Sequence, residues 1–336
     1  MTDMKNGLKR KVSNKENLLI GFDKFVVFYN PVSTNSRRSR KRIAELKELF
    51  PAKKVIVIET SPDGEEANKR LVAREAKKFD DKTVVCIASG DGTVSAVLES
   101  LLTSKGIPAK SRKVPVLPLW GGNANDLAHM INGLPQKISL RTVFEKGKIV
   151  PIYPLSVKLG SGKQVSKRIA ACYISFGASA YAAQQTELPK NKKKKIHAIP
   201  AARMITEMFI VVRSLIKAQT FTIQVDQEKH SVYERIFVNG SRIAKIDRLP
   251  VRLNEKAFYE ATLSHKHPKA LLSLLSALKI LRNRTYGEVT EKDIKFVLNE
   301  DAWMQIDGEV VKLPTKTNVE VSLSTLPFYV ITTKLG

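Results

Sequence analysis

Hydrophobic positions follow two rhythms along this chain, and the change from one to the other falls near Pro151. In the first third, short β-branched runs at Lys24–Tyr29, Lys54–Ile58, Thr83–Ala88 and Val114–Leu119 alternate with stretches of helical spacing at Arg37–Phe50, Glu65–Phe79 and Thr93–Leu102. The middle stretch puts Ala67, Leu71, Val72, Ala76 and Phe79 along one face. Apolar runs alternating with helices in this way predict buried parallel strands covered on both sides. Downstream, short segments are separated by turn residues: Tyr153–Lys158, Arg168–Ser175, Phe221–Val225, Val232–Val238, Phe258–Leu263, Lys295–Leu298, Trp303–Ile306 and Val319–Leu323. That pattern predicts an antiparallel sandwich, interrupted by helical stretches at Ala201–Ala218 and Pro268–Arg282. The expected fold is an α/β N-terminal domain with a parallel sheet flanked by helices over 22–150, after a basic flexible arm over 1–21. A C-terminal, mainly antiparallel β-sandwich domain over 151–317 follows it.

Composition narrows the functional class. Lys and Arg number 57 against 32 Asp and Glu, a formal net charge of +25. Solubility needs far less, so the excess points to a polyanionic partner: nucleic acid, an anionic membrane leaflet or phosphorylated substrates. Cys86 and Cys172 each sit inside an apolar run, as buried free thiols do, and two cysteines make neither a disulfide scaffold nor a zinc site. No apolar stretch approaches the roughly 20 residues of a membrane span, and the polar start of the chain lacks the apolar core of a secretory signal. The expected setting is therefore cytoplasmic, with any membrane contact peripheral.

Three loops at predicted strand ends carry small and polar residues: Asn30-Pro31-Val32-Ser33, Ser89-Gly90-Asp91-Gly92-Thr93 and Gly121-Gly122-Asn123-Ala124-Asn125-Asp126. In an open α/β sheet such loops converge on one site. Their glycines let backbone approach a phosphate, and the following helix starts offer free amides. The Walker A pattern and the dinucleotide fingerprint are both absent. Far downstream, Ile306-Asp307-Gly308-Glu309-Val310 lies between two apolar segments, and Asp-Gly there also suits a plain hairpin turn.

Taken together, these residues resemble the diacylglycerol kinase catalytic family, which includes bacterial lipid kinases and is similar to sphingosine kinases. The resemblance runs from about Lys24 to Thr333. Asn30-Pro31-Val32-Ser33 is similar to the family's Asn-Pro-x-Ser element, Gly90-Asp91-Gly92-Thr93 to its nucleotide loop, and Gly122 with Asn125-Asp126-Leu127-Ala128 to its Gly-Thr-x-Asn-Asp-Phe-Ala loop. Asp307-Gly308-Glu309 resembles its Asp-Gly-Glu element, and Phe237-Val238-Asn239-Gly240 a strand of its second domain. Ser89 stands where the family's nucleotide loop begins with glycine, Asn123 replaces a threonine, and Glu255-Lys256 stands where Asp-Gly is frequent.

The resemblance implies an ATP-dependent kinase that phosphorylates a lipid hydroxyl, with ATP and Mg2+ as cofactors. It implies nucleotide contacts from Asn30, Ser33, Thr60, Ser89, Gly90, Asp91, Gly92, Thr93, Gly122, Asn123 and Asn125, and metal contacts from Asp91, Asp126 and Glu255. Asp307 is the implied general base, supported by Glu309. It also implies that about 318–336 returns to complete the first domain. The implied partners are a lipid substrate and an anionic membrane surface; the basic clusters Arg37–Arg42 and Lys190–Lys195 would attract that surface, and the leucine-rich stretch Pro268–Arg282 reads either as a helix lying on a bilayer or as one packed inside the protein. No aromatic-basic signature of nucleic-acid recognition is present. Two other readings compete: an NAD kinase-like enzyme, which shares the Gly-Asp-Gly-Thr loop, and a catalytically inactive membrane-binding module. His129, His197, His230, His265 and His267 show no ligand spacing.

Overall fold

Val26 and Phe28 leave the first strand on one side and Phe25, Val27 and Tyr29 on the other, and each set enters its own buried cluster. This two-fold alternation with apolar residues on both sides makes the strand the middle of a three-layer arrangement. The computed structural model describes residues 21–33, 36–61, 64–121, 125–133, 138–161, 164–187, 200–243, 246–247, 249–264 and 287–334. The expectations at Gly122, Asn123, Lys190–Lys195, Pro268–Arg282 and all but the last residue of the N-terminal arm lie outside them.

The first sheet contains β1 (Lys24–Tyr29), β2 (Lys54–Glu59), β3 (Thr83–Ala88), β4 (Pro115–Pro118) and β5 (Lys148–Ile152), with a strand from near the end of the chain, Phe328–Thr332. Their order is β2-β1-β3-β4, then Phe328–Thr332, then β5. All neighbours are parallel except β5, which runs against the late strand. On one face lie α2 (Glu65–Ala76) and α3 (Asp91–Thr103), which contribute Val72, Ala76, Val94, Leu98 and Leu101. On the other lie α1 (Ser36–Leu49) and α5 (Leu140–Lys146), contributing Ile43, Leu46, Val143 and Phe144. The short α4 (Asp126–Asn132) follows β4.

Two antiparallel sheets make the rest. One is built from β6 (Leu155–Ser161), β7 (Gln164–Ala170), β9 (Phe221–Val225), β10 (Glu228–Val232), β16 (Ile294–Leu298) and β19 (Asn318–Leu323). The other is built from β8 (Tyr173–Gly177), β11 (Glu234–Val238), β14 (Phe258–Leu263), β15 (Gly287–Thr290), β17 (Ala302–Ile306) and β18 (Glu309–Leu313). A small pair, β12 (Arg242–Ile243) and β13 (Ile246–Asp247), lies apart. Phe176, Phe237 and Phe258 of one sheet meet Phe221, Phe296 and Val321 of the other in a shared core, with Phe176 edge-on to Phe296 at 5.3 Å between ring centres. Helices α6 (Ala178–Glu187) and α7 (Pro200–Lys217) pack on each other. The late strand Phe328–Thr332, β20, re-enters the first sheet, whereas β19 belongs to the sandwich.

Two expected strands are each two strands. Arg168–Ser175 divides at Ala171–Cys172 into β7 and β8, and Val232–Val238 divides at Tyr233 into β10 and β11. At Ala171–Cys172 an uninterrupted apolar run crosses from one sheet to the other, and at Tyr233 no glycine or proline marks the crossing, so neither break is signalled locally. Cys86 and Cys172 are buried free thiols.

Candidate active site

The carboxyl ends of β1, β2 and β3 open onto a cavity of about 550 Å³ between the first sheet and the sandwich. Asn30 follows β1 and reaches it, its Oδ1 fixed by the amide of Val32 at 3.0 Å. Thr60 follows β2, its amide donating to Tyr29 O at 2.9 Å. Asp91, Gly92 and Thr93 open α3 and also line it. Ser89 does not line the cavity, but its hydroxyl lies 2.8 Å from that of Thr93 and ties the loop together. Gly90 caps α3, accepting from Val94 N at 3.1 Å. Ser33 turns its hydroxyl inward, where it is buried with no partner among the described residues.

After β4 the chain turns sharply. Trp120 adopts a positive φ of 50° and is fully buried, its indole N–H donating to Gly133 O at 2.9 Å. A side chain on Gly121 would sit 2.5 Å from Ser89 N and 2.8 Å from Ala88 C, so this position holds only glycine while the β3 and β4 ends touch. Asn125 caps α4 in the left-handed region, φ 52°, which asparagine tolerates. Asp126 then begins the helix, buried, with Arg242 Nε 3.0 Å away.

Opposite these loops stands the β17–β18 hairpin. Asp307 and Gly308 form its two-residue turn with φ of 45° and 99°, the mirror-image geometry that Asp-Gly favours. The segment is thus a hairpin turn, and the same turn forms part of the cavity wall. Asp307 is buried and its carboxylate is fully engaged. Oδ1 accepts from the amides of Cys172 at 3.0 Å and Tyr173 at 2.8 Å. Oδ2 accepts from Ala171 N at 2.6 Å and from the Ser95 hydroxyl. Those three successive amides are the bend that divides β7 from β8.

Glu309 lines the cavity too, and its surroundings differ. Arg168, from β7, donates from Nη2 to Glu309 Oε2 at 2.9 Å and to Glu65 Oε1 at 2.5 Å, and from Nε to Glu99 Oε2 at 2.9 Å. Lys69 Nζ completes the network, 2.5 Å from Glu65 and 2.6 Å from Glu99. Elements of both lobes thus meet on one set of charges.

The electrostatics follow from this crowding. Burial, then the negative charges of Asp126 and Asp307, push the Asp91 carboxyl up to about 7, against the amides of Asn125 and Asp126. Burial raises Asp307 to about 6, held back by Ser95 and the three amides. Burial and the adjoining Glu65 raise Glu309 to about 8, with Arg168 opposing. For Glu65, burial is outweighed by hydrogen bonds from Glu309 and Lys69 and by the Arg168 charge, so its carboxyl is lowered.

Asn30, Thr60, Asp91, Gly92, Thr93, Asp126, Asp307 and Glu309 therefore converge on one cavity. Glu255 does not: it lies half-exposed in the loop before β14, accepting from Arg252 N at 3.1 Å, and is not part of the cavity wall. Sequence reading missed Glu65, Ser95, Glu99, Arg168 and Arg242. Glu99 left a trace, as a carboxylate inside the apolar run Val97–Leu102 of α3; the others are single charged or polar residues with no local pattern.

The cavity wall carries five carboxylates, Glu65, Asp91, Asp126, Asp307 and Glu309, and among the described residues no Lys or Arg. Among the described residues no three His, Cys, Asp or Glu side chains form a ready-made metal cage. A hard cation held by one or two carboxylates and by the ligand's own phosphates fits such a wall.

Residues 24–152 match the family model described as the diacylglycerol kinase catalytic domain. Over this stretch, which is less than half of the chain, the sequence is similar to that family. The matched span runs from β1 through β5 and contains all three phosphate-type loops. Three solved structures share the fold over nearly the whole chain. A candidate diacylglycerol kinase from Bacillus anthracis is 16% identical, covers 93% of this chain and 98% of its own, and superposes with a TM-score of 0.58. A diacylglycerol kinase from the same organism is 14% identical, with 93% and 97% covered and a TM-score of 0.54. Yeast NADH kinase complexed with NADH is 10% identical, with 92% and 83% covered and a TM-score of 0.53. No curated protein matches the chain. Among the described residues no helix is long and apolar enough to cross a membrane.

Proposed function

We propose that the protein is an ATP-dependent lipid kinase, transferring a phosphoryl group to a lipid hydroxyl at an anionic membrane surface. The observation that carries this is the convergence of Asp91, Asp126 and Glu309 on one cavity at the strand ends, within and beside the stretch that matches the diacylglycerol kinase catalytic domain. Asn30, Thr60, Gly92 and Thr93 would hold the nucleotide, with the start of α3 facing its phosphates. Asp91 and Asp126 are the residues that would hold magnesium. A magnesium ion bound there would supply the positive charge that the cavity wall lacks.

The acceptor oxygen attacks the γ-phosphorus, the bond to the β-phosphate oxygen breaks, and the hydroxyl proton needs a base. Asp307 has every acceptor position occupied, which suits it to hold the turn rather than to receive that proton. Glu309 is two residues on, on the cavity wall, with a proton affinity matched to near-neutral chemistry. We therefore assign the base to Glu309 and the support to Asp307, exchanging the roles that the family resemblance implies. Activity should rise with pH as Glu309 ionises, up to about pH 8.

The membrane part of the proposal draws support from α1. Arg37, Arg38, Arg40 and Lys41 are exposed at its start, with no acidic residue in the first turn. Cations at the positive end of a helix dipole cost stability, about 0.3–1 kcal/mol each. An anionic surface beside the strand ends would offset that cost, and its attraction would weaken with salt.

The test is transfer of labelled phosphate from Mg-ATP to diacylglycerol, a sphingoid base, phosphatidylglycerol and a polyprenol in anionic vesicles, with NAD and NADH as soluble acceptors. Labelling of one lipid by the wild type, with loss in Glu309→Gln, is the expected result. Labelling of NAD or NADH alone would replace the lipid reading with a dinucleotide one. Vesicle binding with no labelling of anything would favour an inactive binding module.

A further inference from the structure

We infer that Glu65 and Arg168 are positioning residues for Glu309, because one nitrogen of Arg168 is shared between the two carboxylates and ties the base to helix α2. This deepens the proposed function and rests on its assignment of the base to Glu309. The geometry is specific. Nη2 of Arg168 stands 2.9 Å from Glu309 and 2.5 Å from Glu65, while Nε of the same group is held by Glu99 on α3. A guanidinium is planar and presents its donors in a fixed fork, so anchoring one edge fixes the other. Glu99 is the anchor, buried, and it also accepts the amide of Ile169 at 3.3 Å.

The charges explain what the arrangement does. Glu65, Glu99 and Glu309, with the more exposed Glu66 at 3.2 Å from Lys69, bring four negative charges, and Lys69 and Arg168 bring two positive ones. The negative charges outnumber the positive ones, which favours a proton on one of the carboxylates. Glu65 is flanked by both Lys69 and Arg168, whereas Glu309 has Arg168 alone, so the proton resides on Glu309. Asp307 is beside it on the same turn, Gly92 of α3 packs against its Cγ at a distance that a side chain there would close to 3.7 Å, and α2 brings Glu65. Asp91 and Asp126 line the same cavity, so Glu309 faces those two carboxylates and Asp307 besides this cluster. Glu65 also lines the cavity.

Two substitutions move the base in opposite directions. Glu65→Gln removes a negative neighbour and eases ionisation of Glu309. Arg168→Gln removes a positive neighbour and hinders it, and Arg168→Lys keeps the charge but loses the fork. The full-length protein, labelled with 13C at glutamate carboxyls, is titrated by NMR, with Glu309→Gln identifying the signal. The expected midpoint falls by about half a pH unit or more in Glu65→Gln and rises by a similar amount in Arg168→Gln, a roughly threefold change in proton affinity each way. In the lipid assay the acid limb of kcat shifts in the same two directions, while KM for ATP stays within about twofold.

A purely structural role predicts loss of activity without opposed shifts, so two shifts of the same sign, or an unmoved midpoint in Glu65→Gln, would overturn the inference. Should Arg168→Gln fail to fold, Arg168→Lys and Glu65→Gln still decide it, with Arg168→Lys expected to lie between wild type and Arg168→Gln. Opposed NMR shifts in a protein that labels no lipid would uphold this coupling and overturn the kinase reading, so the two are separable.

Discussion

Asp126 and Arg242 form a buried ion pair, Oδ1 to Nε 3.0 Å, between α4 and the small β12–β13 pair. Asp126 opens α4 and Arg242 begins β12, so neither side chain is positioned by its own element alone. Asp91 and Asp307 lie close enough to Asp126 for their charges to interact. Arg242 sets a positive charge against this group of three carboxylates. Arg242→Met should destabilise by about 3–5 kcal/mol in denaturant unfolding, the cost of leaving one member of a buried pair. Adding Asp126→Asn should restore part of that loss; a double variant no more stable than Arg242→Met would show that the pair is not the reason.

Asp307→Asn and Glu309→Gln should fail in different ways. Asparagine tolerates the left-handed turn position, but its NH2 group faces amide donors from the Ala171–Tyr173 bend or the Ser95 hydroxyl. Unsatisfied buried donors cost about 1–3 kcal/mol each, so Asp307→Asn should lose about 2–4 kcal/mol of stability together with activity. Glu309 makes no backbone hydrogen bond with its carboxylate among the described contacts. Its glutamine variant should keep the wild-type unfolding midpoint while kcat falls about 10²–10⁴-fold, the usual weight of a general base. A reversed pattern, with Asp307→Asn stable and inactive, would return the base to Asp307.

These two residues also mark what could be read from the sequence. Four of the six strands of the first sheet were legible, because β1, β3 and β4 are buried on both faces and leave unbroken apolar runs between amphipathic helices, whereas β5 and β20 were not read as strands. The cavity loops were legible because glycine and asparagine occur where backbone must turn and approach. The sandwich was legible as a class but not in its divisions. The bend at Ala171–Cys172 exists because three amides turn toward Asp307, 136 positions after Ala171, and no local signal encodes a partner so distant. The same holds for Arg168, whose three acceptors come from α2, α3 and the β17–β18 turn. Glu255, carried over from the family pattern as a structural metal contact, lies away from the cavity.

The acidic cavity makes a definite demand on its ligand. With five carboxylates on the wall and no Lys or Arg among the described lining residues, ATP alone meets repulsion, whereas Mg-ATP brings the missing charge. Mg-ATP should raise the thermal midpoint by several degrees, as ligand binding to the native state requires. ATP with EDTA should raise it far less, with at least about tenfold weaker affinity. Asp91→Asn should narrow that gap by weakening the magnesium complex and strengthening the metal-free one. Equal stabilisation by ATP with and without the ion would mean that basic residues outside the described lining neutralise the phosphates.

Away from the cavity, Glu234 offers a test of burial alone. It is 7% exposed on β11, accepts the amide and hydroxyl of Ser179 at the start of α6, and is raised by burial to about 7 from 4.5. The folded protein therefore keeps a proton that the unfolded chain releases between those two values. The sign follows directly: this contribution to stability is complete below pH 4.5 and is lost as pH rises through 7. Glu234→Gln cannot titrate. Its stability relative to wild type should rise by about 2–3 kcal/mol between pH 5 and pH 8, because each pH unit over which only the folded protein holds the proton is worth about 1.36 kcal/mol. Asp91, Asp307 and Glu309 tilt the wild-type curve in the same direction, but they are common to both proteins and cancel in the difference. Urea unfolding of the pair at the two pH values measures that difference. A constant gap would mean that Glu234 is ionised throughout, with the start of α6 and the Ser179 hydroxyl outweighing its burial.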